Sequence, residues 1–182
     1  MENTSTNTSN NTQHVTQKLF TEMLRPQTLD QAIIVPRIRE VLQHGLTTNI
    51  LLSGSAGAGK TSLTRILTRG YQVLEINASL ENGIDTIRDK VIAFASQSSL
   101  FDGEEKLKVV VLEECDGLSL EAWKALRATI EKYHKTVRFI ANCNYIDKVP
   151  EPIQSRFNVI IIDPLTKEEE DQNDITTFAR QN

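Results

Sequence analysis

An α/β fold, a five-stranded parallel sheet with helices on both faces, is what the 182 residues predict. Three observations carry this expectation. Short apolar runs alternate with helix-period segments along the chain. One run, LKVVVL at 107–112, is apolar almost throughout, as a strand buried on both faces must be. A glycine-rich loop also lies between the first strand and the helix that follows it. The composition, 39% hydrophobic and 24% charged, is ordinary for a globular domain, and the length suits one.

The elements follow in order. Residues 1–14 hold no aliphatic or aromatic side chain after Met1 and are rich in Asn, Thr and Ser. Nothing there offsets the entropy of ordering a backbone, so a disordered polar tail is expected, with the domain running over 15–165. Pro36, then RIREVLQH and Gly45, reads as a short helix with Pro at its first position and Gly past its end. NILLS at 49–53 is the first strand, the segment after Lys60 is helical, and QVLEI at 72–76 is the second strand. The apolar positions Ile84, Ile87, Val91, Phe94 and Ala95 mark a helix face. After the strand at 107–112, Ser119 caps a helix whose apolar face is Leu120, Trp123, Leu126, Ile130 and Tyr133. VRFIAN at 137–142 and NVIII at 158–162 complete the sheet. A ligand is expected at the carboxyl ends of the strands.

Composition also excludes some functions. No apolar run approaches the roughly 20 residues needed to cross a bilayer, and the polar N-terminus does not resemble a secretory signal, so a cytoplasmic protein with no membrane partner is expected. The two cysteines, Cys115 and Cys143, form no CxxC pair, follow apolar stretches, and are expected to be reduced and structural. A net charge of −4 argues against non-specific coating of nucleic acid, while leaving room for local phosphate contacts.

GSAGAGKT at 54–61 matches GxxxxGK[ST] at every required position, between a predicted strand and a predicted helix. Gly54, Gly57 and Gly59 let the backbone wrap a phosphate chain with its amides pointing inward, and Ser55, Ala56 and Ala58 complete the loop. The next helix, opening through Ser62, adds its N-terminal dipole. Lys60 reaches the β- and γ-phosphates and Thr61 offers a hydroxyl to magnesium. ATP and Mg2+ are therefore the expected ligands. VVVLEECD at 109–116 places Glu113 and Glu114 at the tip of the most apolar strand. Glu113 is expected to orient the metal through water, and Glu114 to polarise an attacking water. The usual Asp-Glu pair has Glu at its first position here. The added methylene moves that carboxylate outward by about 1.5 Å, which puts hydrolysis rather than binding at issue.

With these motifs assembled, the chain resembles the AAA+ clamp-loader ATPases, among them replication factor C small subunits and the clamp-loader ATPase subunits of T-even-like phages. The resemblance spans about 18–165. LFTEMLRPQTLDQAI is similar to the family's Glu-Lys-Tyr-Arg-Pro box, keeping Glu22, Arg25 and Pro26 but carrying Met23-Leu24 in place of Lys-Tyr. It implies that Arg25 and Pro26 lie near the adenine. LRATIEKYHKTVRFIANCNYIDKVPEPIQSRF is similar to the sensor-1 region and the Ser-Arg-Cys box, with Phe157 for the cysteine. It implies that Asn144 helps hold the attacking water and that Arg156 is a finger acting in trans on a neighbour's ATP. Asn82-Gly83-Ile84 and Arg88 are implied to track a DNA backbone through helix N-terminal amides and one guanidinium. Read alone, Asn144 is a turn residue after a strand, Arg156 a surface arginine, and Arg88 a helical arginine paired with Asp85. Trp123 stands where many relatives have Gln, and its place on an apolar face makes it a core residue.

The implied function is the ATPase module of a sliding-clamp loader, with other loader subunits, the clamp and primer–template DNA as partners. Another AAA+ machine of DNA metabolism, or a nucleotide-binding subunit with little hydrolysis of its own, are the alternatives. The family carries a helical lid and a collar after this domain. Residues 166–182 read as the start of a lid helix, so weak hydrolysis by this polypeptide alone is expected.

Overall fold

A computed structural model describes residues 25–80, 84–97 and 107–162, with backbone alone at 84–87. The polar tail, Glu22, Gly83 and the expected lid segment lie outside the described residues. The strands are β1 (Ile50–Ser53), β2 (Gln72–Asn77), β3 (Lys108–Glu113), β4 (Val137–Cys143) and β5 (Asn158–Ile161). The helices are α1 (Pro36–Leu42), α2 (Lys60–Leu67), α3 (Ile84–Ser96), α4 (Leu120–Tyr133) and a single turn, α5 (Glu151–Gln154).

The sheet order is β2-β3-β4-β1-β5, every pair parallel. Parallel neighbours need crossovers, and the chain makes them with helices on both sides. Period-two alternation divides the strands between two cores. Leu51, Val110, Leu112, Phe139 and Ala141 face α3 and α4 through Val91, Trp123, Leu126 and Ile130. Ile50, Leu52, Val109, Val111 and Ile140 face α1 and α2 through Ile38, Leu42, Leu63 and Leu67. β3 and β4 are buried on both faces, which is why their sequences are continuous apolar runs. Lys108, the polar exception in the β3 run, is buried with its ammonium donating to the carbonyls of Phe94 and Gln97 at the end of α3. It closes carbonyls that a helix end leaves open.

α1 starts on Pro36 and is followed by Gly45 at φ +72°, as expected. Ser119 caps α4, its hydroxyl accepting from the Ala122 amide at 3.2 Å. One expectation on α4 needs correction. Leu120, the first residue of the helix, is 61% exposed, whereas Ala122, Trp123 and Leu126 are buried against the sheet. Trp123 is core, as expected from its face.

β1 lies between β4 and β5, so the chain turns in opposite directions on either side of it. That switch point opens a crevice at the carboxyl end of β1, where the glycine-rich loop sits.

Candidate functional site: a phosphate loop and the strand ends around it

The loop owes its shape to its glycines, for two different reasons. Gly57 (φ +83°) and Gly59 (φ +92°) are left-handed, and a Cβ on either would meet no atom within 4 Å. The backbone there is open on the outside, as a cradle for an anion must be. Gly54 is constrained from within. A Cβ on it would lie 2.4 Å from the Ile162 carbonyl oxygen, and its own amide donates to the Cys143 carbonyl at 3.3 Å. Gly54 thus threads between the ends of β4 and β5, a close packing that the motif alone did not reveal.

Lys60 opens α2 immediately after left-handed Gly59. Its ammonium donates to the carbonyls of Gly54 at 2.7 Å and Ser55 at 2.8 Å, and to Asn144 Oδ1 at 2.8 Å. Two residues 84 positions apart, singled out separately, therefore meet. Burial holds the Lys60 pKa below its ordinary value, against the opposing charges of Cys143, Asp116 and Glu113. Thr61 is exposed at the mouth and Ser62 half-buried behind it.

Glu113 ends β3, on the face shared with α2, and Glu114 is exposed on the following turn. Glu114 is held at φ 53°, ψ 42°, the only non-glycine residue with positive φ among those described. Left-handed backbone costs a side-chain-bearing residue roughly 1 kcal/mol, and such strain gathers where a side chain must be aimed. Asp116 also lies in the field of Lys60. Nothing singled it out in the sequence, although it continues the acidic run.

Beneath the loop the two thiols are buried and free, as expected. Cys115 hydrogen-bonds Cys143, which holds the Cys143 thiol near pH 7 with help from Ser53 and Lys60, while that contact and burial raise Cys115.

Other candidates lie elsewhere. Asn49 donates to the Arg156 carbonyl at 3.2 Å, which fixes Arg156 at the amino end of β1, the opposite end from the loop. β1 separates them by about 13 Å of strand. The Arg156 guanidinium is tied to Glu131, with Nε at 2.8 Å and Nη2 on the same oxygen, and Nη1 meets the Pro152 carbonyl. Arg127 bonds Glu131 as well, and the two arginines hold that carboxyl below its ordinary range. Arg25 and Pro26 are half-buried at the start of the described chain, and Gln27 links that segment to Arg69 beyond α2. Ile84 opens α3, and Arg88 is exposed on it, 3.4 Å from Asp89.

A glycine loop between strand and helix, with acids and an asparagine at the neighbouring strand ends, defines a P-loop nucleotide-binding fold. The chain belongs to the AAA family: the model for the ATPase family associated with various cellular activities matches residues 50–165. It is similar to replication factor C small subunits of Archaeoglobus fulgidus (36% identical, 83% of this chain, 50% of the relative). Those of Methanocella arvoryzae (39%, 88% and 51%) and Sulfurisphaera tokodaii (40%, 83% and 49%) are similar too. The chain spans about half the length of these curated relatives. Among solved structures, a RuvB variant of Thermotoga maritima shares the fold at TM-score 0.62 and 20% identity, over 82% of this chain and 52% of that one. A DNA polymerase III gamma subunit-related protein of the same organism does so at 0.56 and 21%, over 74% and 47%.

Proposed function

We propose that this chain is the ATP-binding and hydrolysing module of a DNA sliding-clamp loader. The observation that carries the reading is the Lys60–Asn144 contact over the open glycine loop, made in a chain similar to replication factor C small subunits. Gly54–Ser62 bind the phosphates through backbone amides and the α2 N-terminus. Lys60 exchanges its carbonyl and Asn144 partners for β- and γ-phosphate oxygens, and its burial strengthens that charge–charge contact. Among the described residues no group of three or more His, Cys, Asp or Glu could hold a metal alone. Magnesium suits such a site, because it favours one or two protein ligands together with phosphate oxygens and water. Thr61 would be its direct ligand and Glu113 would act through water; bound there, it neutralises charge on the phosphates.

Glu114, exposed on the left-handed turn just past β3, orients and polarises the attacking water. Asn144, released by Lys60, holds that water near the γ-phosphate. Arg156, at the far end of β1, cannot serve its own loop and suits a neighbour's. Arg25 and Pro26 flank the adenine; Gly83, Ile84 and Arg88 face a DNA backbone. Other loader subunits, a sliding clamp and primer–template DNA are the partners, in the cytoplasm.

The test is co-purification of a tagged chain with a sliding clamp and loader subunits encoded beside it, with MgATP or MgADP. ATP-dependent capture of the clamp, lost in Lys60→Ala, is expected. Nucleotide binding with no clamp capture by the assembled subunits would favour another AAA+ machine and sink the clamp-loader reading.

A further inference from the structure

Behind the Lys60–Asn144 contact lies a second polar link, between α2 and β4, and it is buried. The Asn142 amide donates to Thr64 Oγ1 at 2.9 Å, and the Thr64 hydroxyl lies 3.3 Å from Asn142 Oδ1, placed to donate back. Asn142 is 1% and Thr64 2% exposed, among the apolar side chains that line this face of the sheet. No sequence feature marked either residue.

The spacing makes the two links a pair. Lys60 and Thr64 are four apart on α2, a rise of about 6.0 Å, and share a face. Asn142 is the next-to-last residue of β4, and Asn144 is the bend residue just past the strand end, two positions on. The helix is therefore tied to β4 by the inner rung and to the turn that leaves β4 by the outer one. The outer rung, Lys60–Asn144, must open when Lys60 turns to phosphate. The inner rung has no reason to open. A one-residue slip of β4 would turn Asn142 to the other face, against the α4 core, and would shift the turn that carries Asn144.

We propose that Asn142 and Thr64 are positioning residues. They lock the strand that leads into Asn144 in register with the P-loop helix, so that Asn144 stays at γ-phosphate height after Lys60 lets go. The proposal rests on the nucleotide-site reading above. It assigns the inner rung to discrimination of ATP from ADP rather than to nucleotide affinity in general. Replacing one partner strands a buried polar group, whereas replacing both leaves an apolar contact, so stability and positioning can be separated.

The experiment measures MgATP and MgADP affinities, with fluorescent analogues, for the wild type, Thr64→Ser, Thr64→Val, Asn142→Leu and the double variant Thr64→Val/Asn142→Leu. Melting of each nucleotide-free chain is followed in parallel. The wild type should prefer ATP. Thr64→Val and Asn142→Leu should lower that preference roughly three- to tenfold, the worth of about one hydrogen bond, with ADP affinity within about twofold of wild type. Thr64→Ser, which keeps the hydroxyl, should retain it. The double variant should regain melting temperature relative to the singles without regaining the preference; should a single variant fail to fold, the double carries the measurement. A double variant that recovers both would make the rung ordinary core packing and overturn the proposal. So would equal loss of ATP and ADP binding, or a wild type that binds both alike. A wild type that binds neither would instead remove the nucleotide-site reading, and this inference with it.

Discussion

At residue scale, the site is built from backbone positions under constraint as much as from reactive groups. Glu114 carries a side chain where glycine would be at ease. Glu114→Gly should therefore melt higher than Glu114→Gln, by about 1 kcal/mol, although both lose the carboxylate. Equal melting points would show that the turn stores no such strain. Gly54 is the opposite case. Gly54→Ala forces a methyl group onto the Ile162 carbonyl and should cost about 1–3 kcal/mol by chemical denaturation. A neutral result would mean that the β5 end yields freely. Glu131 supplies a pH test. Its carboxyl is depressed by Arg156 first and Arg127 second, so its contribution to stability is present above the ordinary carboxylate range and is lost as pH falls through its lower folded pKa. In Arg156→Ala, the Glu131 midpoint followed by carboxyl NMR should rise toward the ordinary value. An unmoved midpoint would mean that the pair does not persist in solution.

At element scale, strands and helices were legible because their periods are local. The double-sided burial of β3 and β4 is written in their continuous apolar runs, and Ser119 announces α4. Ser119→Ala should cost about 1 kcal/mol in thermal melts, and no change would argue that water replaces the cap. Within α4, face membership was read correctly for Trp123 and incorrectly for Leu120, since period alone does not say how far toward the helix start the buried face extends. Trp123 is buried with its indole N–H lacking a partner. Trp123→Ala should cost about 3–5 kcal/mol, whereas Trp123→Phe should stay within about 1.5 kcal/mol of wild type, because it also removes the stranded donor. Similar losses in both would show that the N–H finds a partner in solution.

At the scale of the whole molecule, the sheet separates two candidate sites along one strand. The loop lies past the carboxyl end of β1 and Arg156 at its amino end, so one domain offers a nucleotide site on one side and a guanidinium on the other. Assemblies made only of Arg156→Ala chains, or only of Glu114→Gln chains, should lose turnover by about 10³-fold or more. Mixing the two should restore part of it, because an Arg156→Ala chain then meets the intact Arg156 of a Glu114→Gln neighbour. No recovery on mixing would place Arg156 outside any shared site.

The sequence by itself determined the parallel α/β class, the phosphate loop and the acids at the end of β3. Each depends on residues adjacent in the chain and on periods of two or 3.6, which local sterics impose. Asn144 and Arg156 could be singled out by resemblance, but their partners could not. Only the tertiary structure decided that Asn144 meets Lys60, that Asn142 and Thr64 form a second rung, that Glu131 holds Arg156, and that Gly54 must be small because Ile162 passes against it. Those contacts join residues far apart in the chain. They are set by the β2-β3-β4-β1-β5 order of the sheet, which brings together strand ends that no local pattern relates.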